Sequence, residues 1–136
     1  MNPDYDPRLL VRAACEAAQR AYAPYSQIRV GAALWTTSGL IYTACNVENA
    51  SYGLTICAER AAVFKAVSEG QISFEVLAVS VPGGGMPCGS CRQVLQEFNP
   101  DLRVLSADQD GNPGAEYRLS ELLPHPFSPK CVPHAK

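Results

Sequence analysis

The sequence has no apolar run approaching the roughly 20 residues that cross a bilayer. No membrane span is expected. It also lacks a basic surplus, since 11 lysines and arginines face 13 aspartates and glutamates, for a formal charge of −2. A nucleic-acid backbone or an anionic membrane rewards positive charge, so neither is the expected partner. The start, Met1-Asn2-Pro3-Asp4-Tyr5-Asp6, is polar and acidic with no apolar stretch behind it, unlike a secretory signal. Histidine is scarce. His125 and His134 both lie in a proline-rich tail, which leaves the rest of the chain without the commonest metal ligand. These absences point to a cytoplasmic, globular protein.

What is present fits one domain over 1–136. With 47% hydrophobic residues, a chain of 136 can bury roughly two-thirds of its unfolded surface. It shows no repeat, no low-complexity segment and no linker. Six cysteines stand out: Cys15, Cys45, Cys57, Cys88, Cys91 and Cys131. An even count could mean disulfides, but a core-rich chain without a secretory signal has no need of them. In a reducing compartment, clustered cysteines mean metal or redox chemistry.

The patterning predicts eight elements and one further helical turn. Asp6-Pro7 reads as a helix start, with Val11, Cys15, Ala18 and Tyr22 recurring at helical spacing until Pro24 ends the helix. Cys15 and Tyr22 on that stripe are expected in the core. Strands over Arg29–Thr36 and Leu40–Asn46 are joined at Ser38-Gly39. A helix follows from Thr55 or Ile56 to Glu69, closed by Gly70. Val76–Val81 reads as a strand buried on both faces, Cys88–Phe98 as a helix, Leu102–Ala107 as a strand and Glu116–Leu119 as a weaker one. Ser120–Leu123 makes a single helical turn. The expected fold is α/β: a three-layer α/β/α sandwich around a mixed five-stranded sheet, with an antiparallel opening hairpin and parallel strands where helices intervene.

Two motifs carry chemistry, Cys57-Ala58-Glu59 and Pro87-Cys88-Gly89-Ser90-Cys91, each where a loop enters a helix. Two βα units would bring those helix N-termini to one end of the sheet. Three thiolates with one open position is the pattern of a catalytic zinc, and Glu59 beside it would serve as general base. Cys-Gly-Ser-Cys alone also fits a redox dithiol, and a structural metal would leave Glu59 a solvated helix-start acid. Three thiolates on a dication leave a formal charge of −1. Both helix N-termini, and Arg60 or Arg92 donating to sulfur, would offset it, with Arg60 the first choice. Residues two apart do not share a helix face, so Cys57 and Glu59 converge only at the helix entrance, with Thr55 as the possible cap.

The chain resembles the small homotetrameric zinc-dependent cytidine deaminases along nearly its whole length. The stretches that carry the resemblance are Ala21-Tyr22-Ala23-Pro24-Tyr25-Ser26, Val30-Gly31-Ala32-Ala33 and Cys45-Asn46-Val47-Glu48-Asn49-Ala50-Ser51-Tyr52. They continue in Cys57-Ala58-Glu59-Arg60, Pro87-Cys88-Gly89-Ser90-Cys91-Arg92-Gln93 and Leu122-Leu123-Pro124. The resemblance implies hydrolysis of cytidine and 2′-deoxycytidine to uridine and 2′-deoxyuridine with release of ammonia. Zn2+ on Cys57, Cys88 and Cys91 would activate the water that attacks C4, and Glu59 would shuttle protons. Asn46 and Glu48 would hold ribose hydroxyls, and the backbone near Ala50 and Ala58 would meet the base. Phe127 would stack on a pyrimidine in a neighbouring subunit of the tetramer, and Tyr52 would reach across an interface. Ile28 stands where the family commonly has an aromatic, and Met86 replaces a small hydroxyl residue before Pro87-Cys88. The sequence around His125-Pro126 and Ser128-Pro129-Lys130-Cys131 also departs from the common tail. An aminoacyl-nucleoside deaminase is the near rival, and a nucleic-acid editor the more distant one.

Overall fold

A computed structural model describes residues 5–129. The first helix, α1 (Pro7–Ala18), opens as its sequence dictates: Pro7 sits in the first turn and the Asp6 carboxylate accepts from the Arg8 N–H at 3.0 Å. It ends earlier than Pro24, in a tight turn where Arg20 N–H donates to Ala17 O and Ala21 N–H to Ala18 O. Tyr22 is thus neither helical nor core. It is 56% exposed, and its N–H donates to Asn46 O at 3.1 Å. That tertiary bond claims the backbone which periodicity alone would assign to helix. Cys15 is half-buried, its thiol directed at Ser80 Oγ 3.3 Å away.

Five strands form one sheet in the order β2-β1-β3-β4-β5: β1 (Gly31–Thr36), β2 (Ile41–Cys45), β3 (Phe74–Ser80), β4 (Arg103–Ala107) and β5 (Pro113–Arg118). The β1–β2, β1–β3 and β4–β5 pairs are antiparallel and β3–β4 is parallel. The mixed sheet and opening hairpin are as predicted, although β5 starts before Glu116 and ends before Leu119. Helix α2 (Ala58–Ser68) ends as Gly70 foretold. Gly70, at φ +89°, donates to Val67 O while Gln71 N–H reaches Ala66 O, so the last carbonyls are satisfied. Helix α3 (Gly89–Phe98) and the one-turn helix α4 (Leu119–Leu122) complete the chain of elements.

Two cores make the three layers. On one face, Leu10, Val11 and Ala14 of α1 pack on Ala33, Trp35, Val76 and Ala78. On the other, Ala58, Ala62, Val63 and Ala66 of α2, with Leu95 of α3, pack on Ala32, Leu34, Leu77 and Val79. Alternate residues of β1 and β3 therefore serve opposite cores, which is why β3 is apolar without a break from Val76 to Val79. Gly31 lets α1 close on the sheet, because a Cβ there would lie 1.9 Å from Ala14 O and 2.6 Å from Ala18 N.

Register decides where the loops emerge. Gly31 pairs with Cys45 on one side and with Ser80 on the other, and Ser80 pairs with Ala107. The segment before β1, the exit of β2 and the exit of β3 thus share one end of the sheet. Because β2 and β3 both run against β1, they point the same way, and α2 and α3 both begin at that end. α2 packs beside α3.

Candidate active site

Each motif folds locally into a helix entrance. Cys57 is the N-cap of α2 and Cys88 that of α3, both in extended backbone, with Cys91 in the first turn of α3. Thr55 does not cap α2. Its hydroxyl accepts from the Asn49 N–H at 3.3 Å, and Cys57 holds the cap position through its backbone, with Ala61 N–H donating to Cys57 O. Val47 and Ile56 exchange both backbone hydrogen bonds, while Glu48 N–H donates to Tyr22 O. This small ladder fixes the path from β2 to Cys57.

The register brings the three sulfurs together: Cys57, Cys88 and Cys91 Sγ all lie within 4.8 Å of one another. Cys57 and Cys88 Sγ are 3.8 Å apart, the separation of about 3.8 Å that two sulfurs take on a tetrahedral ion at about 2.3 Å. No fourth side-chain ligand joins this group among the described residues. His134 and Cys131 lie outside them. The donor set fits zinc.

The electrostatics suit a thiolate site. Arg60, one turn beyond Cys57 and on its face of α2, donates from Nη2 to Cys57 Sγ at 3.4 Å. The Cys91 thiol is the main stabiliser of a Cys57 thiolate, with Arg60 and Cys88 assisting, and together they bring Cys57 down to about 5. Cys91 moves the other way, held up chiefly by its hydrogen bond to Cys57 and by burial. Arg92, the second expected donor, does not reach a sulfur. Its Nε donates to Pro87 O at 2.7 Å and its Nη1 to Leu122 O at 2.9 Å, two carbonyls that are stronger acceptors than a thiol. It fastens the loop that carries Cys88 to the end of α4.

Glu59, in the first turn of α2, is 5% exposed. Burial pushes its carboxyl up to about 7, opposed by its own backbone N–H and reinforced by the Cys57 charge. A carboxyl poised there can both take and return a proton at neutral pH.

The other sequence candidates lie on the 25–30 loop, on the stretch from the exit of β2 to the start of α2, and on the segment after α4. Asn46 is buried, its Oδ1 accepting from Val30 N–H and its Nδ2 donating to Ile28 O, each at 2.8 Å. Glu48 Oε1 accepts from the Tyr25 and Ser26 N–H groups, and Oε2 accepts from the Ser26 hydroxyl. Those bonds, the hydroxyl first, hold its carboxyl below the ordinary range. Both side chains thus shape the 25–30 loop and retain spare polar capacity. Sequence reasoning missed Ser26 and Gln93, although both stand inside the stretches that carry the resemblance. Ala58 is buried at the first position of α2, whereas Ala50 is exposed. Ile28 is exposed, Tyr52 is 75% exposed with its ring edge-on to Tyr25, and Phe127 is 62% exposed.

A layered α/β/α domain with this cluster belongs to the class of metal-dependent hydrolases. The model of one such family, described as the cytidine and deoxycytidylate deaminase zinc-binding region, matches residues 5–107. The chain belongs to that family. A cytidine deaminase of Sporosarcina psychrophila is 44% identical over 133 residues, which cover 96% of this chain and 97% of the relative. One of Halalkalibacterium halodurans is 45% identical over 130 residues, covering 90% of this chain and 95% of the relative. The crystal structure of cytidine deaminase from Burkholderia pseudomallei superposes with a TM-score of 0.86 at 43% identity, covering 90% of this chain and all (100%) of that one.

Proposed function

We propose that this chain removes the 4-amino group of cytidine and 2′-deoxycytidine by hydrolysis, giving ammonia and uridine or 2′-deoxyuridine. The observation that carries the reading is a triad of sulfurs at tetrahedral spacing beside a buried carboxyl of near-neutral pKa. Cys57, Cys88 and Cys91 hold the zinc ion, which when bound supplies Lewis acidity that eases deprotonation of water. Every proton movement falls to Glu59. Its carboxylate takes a proton from the attacking water and delivers it to ring N3 of the pyrimidine. It then takes the remaining proton of that water from the oxygen now on C4 and carries it to N4, so that the C4–N4 bond breaks, the carbonyl forms and the amine departs as ammonia. Burial keeps this carboxyl from being either a spent base or an unwilling acid. Arg60 spreads the negative charge of the sulfurs, and Arg92 holds Pro87 and hence the α3 entrance.

Asn46 and Glu48 bind the sugar hydroxyls with the capacity their loop bonds leave, and a carboxylate there disfavours a phosphorylated substrate. Ile28 and the backbone at Ala50 and Ala58 line the base. Tyr52 and Phe127 project outward, and we place them at the sites of adjacent copies in a homotetramer. Their exposure in the single chain, with that of Leu54, Phe64 and Ile72, supports this assembly. Five free cysteines among the described residues suit a reducing cytoplasm, where the enzyme serves pyrimidine salvage. No helix among the described residues is long and apolar enough to cross a membrane.

The test is loss of cytosine absorbance and release of ammonia on adding cytidine, measured together with zinc per chain. Turnover proportional to zinc content supports the reading. Stoichiometric zinc with inert cytidine and deoxycytidine refutes it.

A further inference from the structure

The feature that the chemistry above leaves unused is the contact between Gln93 and the tail. Gln93 stands on α3 two residues past Cys91, and its side-chain amide engages one residue's backbone on both sides. Nε2 donates to Phe127 O at 2.7 Å, and Oε1 accepts from Phe127 N–H at 3.3 Å. A single hydrogen bond leaves a residue free to swivel about it, whereas this pair fixes both the place and the rotation of the Phe127 backbone. Between Leu122 and Pro129 the chain has no helix or strand to do so. The neighbouring Arg92 holds the same segment at its start, through Leu122 O at 2.9 Å. Adjacent side chains of one helix therefore pin the 122–127 stretch at both ends, and the Phe127 ring projects from the second pin, 62% exposed.

We propose that Gln93 is a positioning residue for the nucleoside. It acts through Phe127, holding the ring in register with the helix that bears Cys88 and Cys91. The proposal rests on the reading that Phe127 meets the pyrimidine. It assigns the binding strength of that ring to a side chain that need not touch substrate. Glutamine is the residue that fits. Glutamate would set an acceptor against the Phe127 carbonyl, and methionine has the length without either bond.

The experiment is steady-state kinetics with cytidine on the zinc-loaded full chain. The variants are Gln93→Met, Gln93→Glu, Phe127→Ala and the double variant Q93M/F127A, each with its zinc content and Tm measured. Freeing a residue that binding must then order again raises KM by about three- to tenfold for both Gln93 variants, with kcat within about twofold. Zinc per chain stays unchanged. Phe127→Ala raises KM at least as much, and adding Gln93→Met to it changes KM no further. Multiplicative effects in the double variant, an effect confined to kcat or zinc, or an unchanged KM in both Gln93 variants beside a raised one in F127A overturns the positioning role alone. An unchanged KM in F127A overturns the reading of Phe127, and the role of Gln93 falls with it.

Discussion

Replacing Arg60 with glutamine removes the guanidinium that donates to Cys57 Sγ at 3.4 Å and leaves the backbone of α2 untouched. Its size of effect follows from two independent scales. A hydrogen bond to a charged group is worth about 1.5–3 kcal/mol. Loss of a side chain that supports a metal ligand costs about 10- to 100-fold in metal affinity, or about 1.4–2.8 kcal/mol. The agreement is physical, because the perturbation in both cases is a ligand left without a donor while its negative charge persists. Cys57 is the appropriate target, being the sulfur whose thiolate the surroundings favour, at about 5. The R60Q variant is therefore expected to bind zinc about 10- to 100-fold more weakly, read by competition against a chromophoric chelator at fixed pH and salt. R60K is expected to recover part of the loss, since an ammonium restores charge without the planar fork. Zinc affinity within twofold of the parent in R60Q would refute the reasoning.

Glu59→Gln keeps the size and burial of the side chain but cannot move protons, so kcat is expected to fall by about 10²–10⁴-fold while zinc per chain is retained. Ammonia release and metal analysis on the same preparation check this. Gly31→Ala forces a methyl against Ala14 O and Ala18 N, both backbone atoms that cannot rotate aside. A loss of about 3 kcal/mol is expected, seen as a fall in Tm of about 10 °C. Turnover per folded chain at low temperature should persist, because α1 covers the sheet face opposite α2 and α3. Asp108 lies below its ordinary value of 3.8, held down first by the Asn112 side chain and then by the Asn112 N–H. The unfolded chain thus binds this proton more readily. The stabilisation is present above about pH 4 and is lost as pH falls through the lower folded value. Asp108→Ala is accordingly expected to lower Tm at pH 7 and to lower it progressively less as pH falls below about 4, by thermal melts across that range.

Much of the site was legible because its signals are local. Cys57, Glu59, Cys88 and Cys91 lie within a few residues of helix entrances, which periodicity put near Thr55–Ile56 and Cys88, although the cap of α2 proved to be Cys57 rather than Thr55. Arg60 was legible for the same reason, being three residues from Cys57 on one helix face. Arg92 was misjudged because its acceptors, Pro87 O and Leu122 O, are brought within reach by tertiary packing of the loop and α4. The overrun of α1 toward Pro24 has a similar origin. Tyr22 continues the apolar stripe, but its N–H is claimed by Asn46 O from across the fold. The Gln93–Phe127 contact spans 34 positions and carries no local pattern, so nothing short of the folded chain reveals it.

The antiparallel strand β1, wedged between β2 and β3, sets a gauge for the metal centre. Neighbouring strands lie about 4.8 Å apart, so β2 and β3 are separated by about 9.6 Å. Two packed helices prefer axes about 8–10 Å apart, a spacing close to that interval, and α2 packs beside α3. The gap that the ion must bridge is therefore inherited from the sheet's own pitch. The stretches 46–56 and 81–88 carry the chain from those strand ends to the sulfurs, the first tied by the paired Val47–Ile56 bonds and the second by Arg92 on Pro87 O. Widening the sheet by a single strand at that point would undo the centre at once.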